Sequence, residues 1–110
     1  IVCAEALPVA QRGPLLERLR ASGREIVAID RAQMAAFAGN ALELAAADGK
    51  AVLVMSDRAF RSLDAGSLDA LQRCAERIVA VPVPTIEDLG GGSVRCMLAE
   101  VFLPRRAAAR

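Results

Sequence analysis

The chain has no histidine, tryptophan or tyrosine, and three phenylalanines supply its 3% aromatic content. Without His, the most usual metal ligand and the most usual general base are both missing from these 110 residues. Any chemistry carried here is therefore incomplete within the chain or unusual. With 55% hydrophobic residues and few aromatics, the core must be aliphatic and alanine-rich, which excludes disorder and fits one domain. Surplus charge is lacking too. Fourteen basic and thirteen acidic residues leave a formal +1, too little field to hold a nucleic-acid backbone or an anionic membrane surface. Only Lys50 among the basic residues is Lys, and the arginines are scattered rather than striped, as codon bias in a GC-rich genome would leave them. Mean hydropathy is +0.36, yet the apolar runs Ala51 to Met55 and Ile78 to Val83 fall far short of the ~20 residues that span a bilayer. The sequence thus argues against nucleic-acid and membrane partners.

Cysteine is sparse and odd in number. Cys3, Cys74 and Cys96 form no Cys-x-x-Cys pair and sit in aliphatic surroundings, which favours a reducing, cytoplasmic setting over a disulfide scaffold. The start, Ile1-Val2-Cys3-Ala4-Glu5, has no initiator Met, basic n-region or small-residue cleavage site. It reads as a chain cut in mid-fold.

Patterning predicts an α/β chain. Ile1 to Leu7 reads as a strand closed by Pro8, followed by a helix from about Pro14 with Leu15, Leu16 and Leu19 on one face and Gly23 as its left-handed stop. Glu25 to Ile29 is a short buried strand, and Arg31 to Phe37 a short helical turn. Ala41 to Ala46, the Asp48-Gly49 turn signal and Ala51 to Met55 read as a β-hairpin. Ser67 is expected to cap a helix whose face carries Leu68, Leu71, Ala75 and Ile78. Ile78 to Val83 is another buried strand, and Met97 to Leu103 a last one ended by Pro104. A weak internal echo, Leu16 to Leu19 before Ile26 to Ile29 and Leu71 to Cys74 before Ile78 to Val81, has a unit of about fifty residues. Any two helix-strand units would also look alike.

The most informative stretch is Gly90-Gly91-Gly92-Ser93-Val94-Arg95-Cys96-Met97. Consecutive glycines lose much chain entropy on folding, so such a run implies positive φ or close approach of the backbone to something. A Cys just beyond it, beside Arg95 and within reach of backbone N–H groups, is placed where a thiolate is stabilised and accessible. The plainer reading makes the run a connector and Cys96 a small buried hydrophobe. Cys3 and Cys74 read as packing residues.

The string Gly90 to Pro104 (GGGSVRCMLAEVFLP) resembles the C-terminal signature of the guanidino-group-modifying superfamily, the amidinotransferases and arginine deiminases. Within it the likeness is closest to the arginine-deiminase-related, citrulline-utilisation hydrolases. Phe37 to Leu44 (FAGNALEL), Leu53 to Ser56 (LVMS) and Pro84 to Glu87 (PTIE) look like the same branch, so the likeness covers nearly the whole chain.

That resemblance implies a pentein fold, an α/β propeller of ββαβ repeats. Residues 1–104 would be about the last two repeats, and 105–110 a basic tail. It further implies that Cys96 is a nucleophile forming a covalent adduct with a small guanidino or ureido amino acid, citrulline or arginine in type. A His and several carboxylates would lie upstream, and no cofactor or metal is required. Gly91 and Gly92 would allow close approach, with loop N–H groups lowering the thiol pKa, and Arg95 would meet an anionic substrate group or be salt-bridged. Arginine deiminases proper resemble a loop with Arg five residues before the nucleophile, where this chain has Gly91. Asn40 reads as a turn residue that can bridge loop backbone, and Glu87 with Asp88 as a solvated loop pair able to tune the site. The rival reading is a small non-catalytic α/β module that binds an anionic metabolite through its glycine loop. Self-association into a homo-oligomer is expected of open sheet edges.

Overall fold

The computed structural model describes residues 1–102. Its centre is a three-stranded sheet in the order β1-β2-β3. β1 (Leu42–Ala45) and β2 (Ala51–Ser56) form the expected antiparallel hairpin, with Leu42 opposite Val54 and Ala45 opposite Ala51. The chain reverses at Asp48-Gly49, where Gly49 takes φ +81° and the Ala46 N–H donates to the Lys50 carbonyl at 2.8 Å. β2 then connects through α3 (Asp57–Ser62) and α4 (Ala65–Cys74) to β3 (Arg77–Val81), which pairs parallel with β2 from Val52–Arg77 to Ser56–Val81. This is one ββαβ unit.

The core is aliphatic as the composition demands. Met55, Ala59 and Ala38 are wholly buried, and Leu63, Ala70, Leu71, Val27 and Ile29 close around them. Phe37 and Phe60 pack at its margin. The first third of the chain repeats the βαβ half of the unit in reduced form: Val2 bridges Ala28 in parallel, across α1 (Val9–Ala21). Two hydrogen bonds hold that bridge, from Val2 N–H to the Val27 carbonyl and from Ile29 N–H to the Val2 carbonyl. The helix-then-strand echo therefore corresponds to two parallel crossovers, only the second with full strands.

Several expectations change. Ile1 to Leu7 is not a strand, because only Val2 pairs and Ala4–Ala6 coil into a 3-10 turn. Glu25 to Ile29 buries Val27 and Ile29 as expected but contributes only the Ala28 bridge. α1 begins at Val9 rather than Pro14. Proline there removes one backbone hydrogen bond, while the Arg12 guanidinium ties down the preceding turn by donating to the Leu7 and Glu5 carbonyls. Gly23 stops the helix at φ +77° as expected, and the turn after Ile29 is α2 (Arg31–Ala35), capped by Asp30.

α4 is capped by Asp64 rather than Ser67, because the Asp64 carboxylate accepts both the N–H and the hydroxyl of Ser67. Ile78 belongs to β3, not to that helix. α3 and α5 (Pro84–Gly90) are additional to the expected elements. The last expected strand is absent: Val94–Met97 is a 3-10 turn, and Leu98 to Phe102 pair with no strand. Leu103, Pro104 and residues 105–110, read as a basic tail, lie outside the described residues. Among the described residues no helix is long and apolar enough to cross a membrane, and no group of three or more His, Cys, Asp or Glu is gathered as a metal site.

Candidate active site

Because β1 runs antiparallel to β2 and β3 parallel to it, the start of β1 and the ends of β2 and β3 lie at one end of the sheet. Three connections meet there: Phe37 to Ala41 entering β1, Ser56 to Arg58 leaving β2, and the α5 segment following β3. Ligand sites of α/β sheets favour the carboxyl ends of strands.

Pro84 opens α5 at its first position, where its missing N–H costs nothing, and Gly91 ends it in the left-handed region at φ +64°. Ser93 follows fully buried, Val94 plugs the apolar interior at 3% exposure, and the 3-10 turn carries Arg95 and Cys96 outward. The Cys96 N–H donates to the Ser93 carbonyl at 3.0 Å. Cys96 is exposed, which overturns the buried-hydrophobe reading. Cys74, expected to pack, is exposed as well, whereas Cys3 packs against the core.

Asn40 joins the two segments. Its side-chain amide donates to Cys96 Sγ at 3.1 Å, while its oxygen accepts the Arg95 N–H at 2.9 Å. One residue thus fixes both the sulfur and the backbone beside it. Asn40 is itself held by a tight turn, its N–H donating to the Phe37 carbonyl at 2.8 Å, with Phe37 at φ +64°. A bulky residue in that region stores about 1–2 kcal/mol of strain.

The Cys96 thiol lies below its ordinary pKa, first because of the Asn40 amide, then a backbone hydrogen bond from Ser93 and the positive charge of Arg95. The backbone contribution comes from Ser93 and from Cys96 itself, not from the glycines. Those two glycines also differ in what they do. A Cβ on Gly92 would stand 3.2 Å from Cys96 Cβ and 3.3 Å from Sγ, so the backbone there passes close to the cysteine side chain. Space beside Gly91 is open, and its backbone takes positive φ.

The Arg95 guanidinium donates to the Ala41 carbonyl at 3.1 Å rather than to a carboxylate. It forms one wall of a cleft of about 330 Å³ that Gly39, Ala41, Glu43 and Cys74 also line. A larger cleft of about 490 Å³ lies at the hairpin tip among Asp48, Lys50, Glu76 and Arg77 and contains no residue of the glycine-cysteine segment.

Glu87 corrects the solvated-pair expectation. It is buried on α5, with one oxygen accepting the Ser93 hydroxyl at 2.8 Å and the other paired with Arg58 Nε at 3.0 Å. Asp88 is exposed and also pairs with Arg58, and chiefly through that bond raises the guanidinium's pKa. The Gly39-Asn40 pair signalled a turn but not its reach to sulfur. Arg58 carried no sequence signal at all.

A family model described as N,N dimethylarginine dimethylhydrolase, eukaryotic, matches residues 1–103. The chain belongs to this family. It is a pentein, guanidino-modifying family of hydrolases acting on small guanidino substrates, so the superfamily and ββαβ expectations hold for this chain. No curated protein matches the chain, and no solved structure does.

Proposed function

We propose that Cys96 is the nucleophile of a hydrolase that cleaves a C–N bond of a guanidino amino acid, an arginine derivative, and that residues 1–104 are the C-terminal portion of an amidinotransferase-like domain. The observation that carries this reading is the Asn40 amide donating to Cys96 Sγ, which stabilises the thiolate form of an exposed sulfur. In this reading the thiolate attacks the planar guanidinium carbon. The bond from that carbon to the leaving nitrogen breaks, the amine departs with an added proton, and an S-alkylthiouronium remains on Cys96. Water then adds to the same carbon, the C–S bond breaks, and a ureido product and the free thiol result. One water is consumed and one amine released, a hard displacement divided into two easier ones.

The resemblance assigns both proton transfers to a His, and this chain has none. The His and the carboxylates that grip the guanidinium therefore belong, in this reading, to parts of the protein other than these 110 residues. Gly92 keeps one flank of the sulfur open, Gly91 supplies the chain reversal before it, and Arg95 offers its remaining donors to an anionic group of the substrate. The free thiols support a reducing, cytoplasmic setting.

The rival, an anion-binding glycine loop, fares worse on physical grounds. The loop follows the C-terminal end of α5, where the helix dipole is negative and carbonyls rather than N–H groups point outward. The family name favours a methylated arginine as substrate, whereas the Gly90 to Pro104 string favours a ureido compound such as citrulline.

The test is labelling of the native gene product with 2-chloroacetamidine, located by mass spectrometry, together with amine release from N,N-dimethylarginine, arginine and citrulline. Labelling at Cys96 and turnover abolished by Cys96→Ala are expected. Labelling confined to Cys3 or Cys74 refutes the assignment.

A further inference from the structure

We infer that Glu87, clamped between Arg58 and Ser93, is a positioning residue that sets the geometry of the Cys96 sulfur from beneath the loop. The inference rests on the nucleophile reading of Cys96. A buried carboxylate is unfavourable unless its oxygens are paired, and both Glu87 oxygens are: one on the Ser93 hydroxyl, one on the Arg58 guanidinium. Ser93 is the hinge of the arrangement. Its side chain is anchored downward to Glu87 while its carbonyl accepts the Cys96 N–H that winds the 3-10 turn. Asn40 then donates to the sulfur from the segment before β1.

Cys96 thus sits within a chain of four polar contacts that runs from Arg58 on α3 through Glu87 and Ser93 to the turn and across to Asn40 before β1. The glycines beside it have no side chains of their own to fix the loop, so this buried anchor supplies the rigidity that the composition of the loop lacks. A charge-assisted hydrogen bond from a hydroxyl to a carboxylate is roughly twice as strong as a neutral one, and suits that task.

The charged groups around this path are few among the described residues. Arg95 faces the sulfur from the same turn. Arg58 of α3 faces Glu87, and Asp88 of α5 shares that guanidinium. This makes the sign of the effect diagnostic. If Glu87 acted on the thiol through its field, removing its charge would lower the pH midpoint of Cys96 alkylation. If it acts by holding Ser93, loosening it weakens the Asn40 contact and raises that midpoint.

The experiment is alkylation of Cys96 by 2-chloroacetamidine across a pH series in the native gene product, alongside Glu87→Gln, Ser93→Ala, Asn40→Ala and the Ser93→Ala/Asn40→Ala pair, with thermal unfolding of each. We expect Ser93→Ala and Glu87→Gln to raise the midpoint and slow labelling at neutral pH roughly two- to tenfold, as loss of one hydrogen bond would. We also expect Ser93→Ala to add little once Asn40 is Ala, because both act on one contact. A midpoint unchanged or lowered in Glu87→Gln and in Ser93→Ala, with wild-type Cys96 labelling normally, overturns the clamp alone. Wild-type labelling that persists in Cys96→Ala overturns the nucleophile reading beneath it.

Discussion

At the scale of single residues, the two glycines before Ser93 have separate tasks, and substitution separates them. Gly91→Ala meets open space but forces an L-residue into φ +64°, so it should destabilise by about 1 kcal/mol and leave Cys96 reactivity nearly intact. Gly92→Ala has the opposite profile. Its methyl would lie against Cys96 Cβ and Sγ, and the cysteine must give way by a few tenths of an ångström. Alkylation rate and unfolding temperature, measured on both variants, check this: the first should lose stability and the second reactivity. Equal losses in both variants on both measures would contradict it. The same environment sets the pH dependence. The folded thiol lies below its ordinary value, so Cys96 should be labelled faster than Cys74, which is also exposed. The ratio of the two adducts at pH 7 measures it.

At the scale of elements, helix caps carry the most specific prediction. Asp64 caps α4 and is held below the ordinary carboxylate range, first by the Ser67 N–H and then by the Ser67 hydroxyl. A depressed folded pKa adds stability that is present above the unfolded value and lost as pH falls through the folded one. Asp64→Asn keeps a good cap but cannot titrate, so its unfolding temperature should fall less than wild type's between pH 7 and pH 3. Parallel pH dependences would exclude Asp64 as a contributor. The hairpin and β3 were legible in sequence because Asp48-Gly49 and short aliphatic runs are strong local signals. What escaped was set by partners distant in the chain. Asp64 displaced Ser67 as the cap because two donors converge on its carboxylate. Met97 to Leu103 alternated like a strand, yet Leu98 to Phe102 pair with no strand. Gly90 to Cys96 marked the candidate site, whereas Asn40, more than fifty residues upstream, and buried Glu87 could be tied to it only through the fold.

At the scale of the molecule, the chain is less compact than its size allows. Its radius of gyration is 16.2 Å, against about 13 Å for a globular domain of this length. Its accessible surface is 7816 Å², against about 5,800 Å² for a compact monomer of this mass. α1 has no buried residue, and Leu89, Val101 and Phe102 are each more than 70% exposed. Among the described residues, both outer strands, β1 and β3, pair on one side only and leave an edge open. Expressed as 110 residues alone, the chain should self-associate and show no turnover, since general acid–base help worth about a hundred- to ten-thousand-fold is not available from any His. Sedimentation and an amine-release assay decide this. A monomer that hydrolyses arginine derivatives would contradict it.

The candidate site and its supports gather at one end of the sheet, which leaves the hairpin tip between Ala46 and Lys50 at the other. That tip is a short exposed reversal, closed by backbone hydrogen bonds and a surface salt bridge from Lys50 to Glu76. Extra residues there meet no element of the candidate site, and lengthening a surface loop adds little closure entropy. A purification handle or fluorophore loop inserted between Asp48 and Gly49 would therefore give a reporter that leaves the chemistry undisturbed.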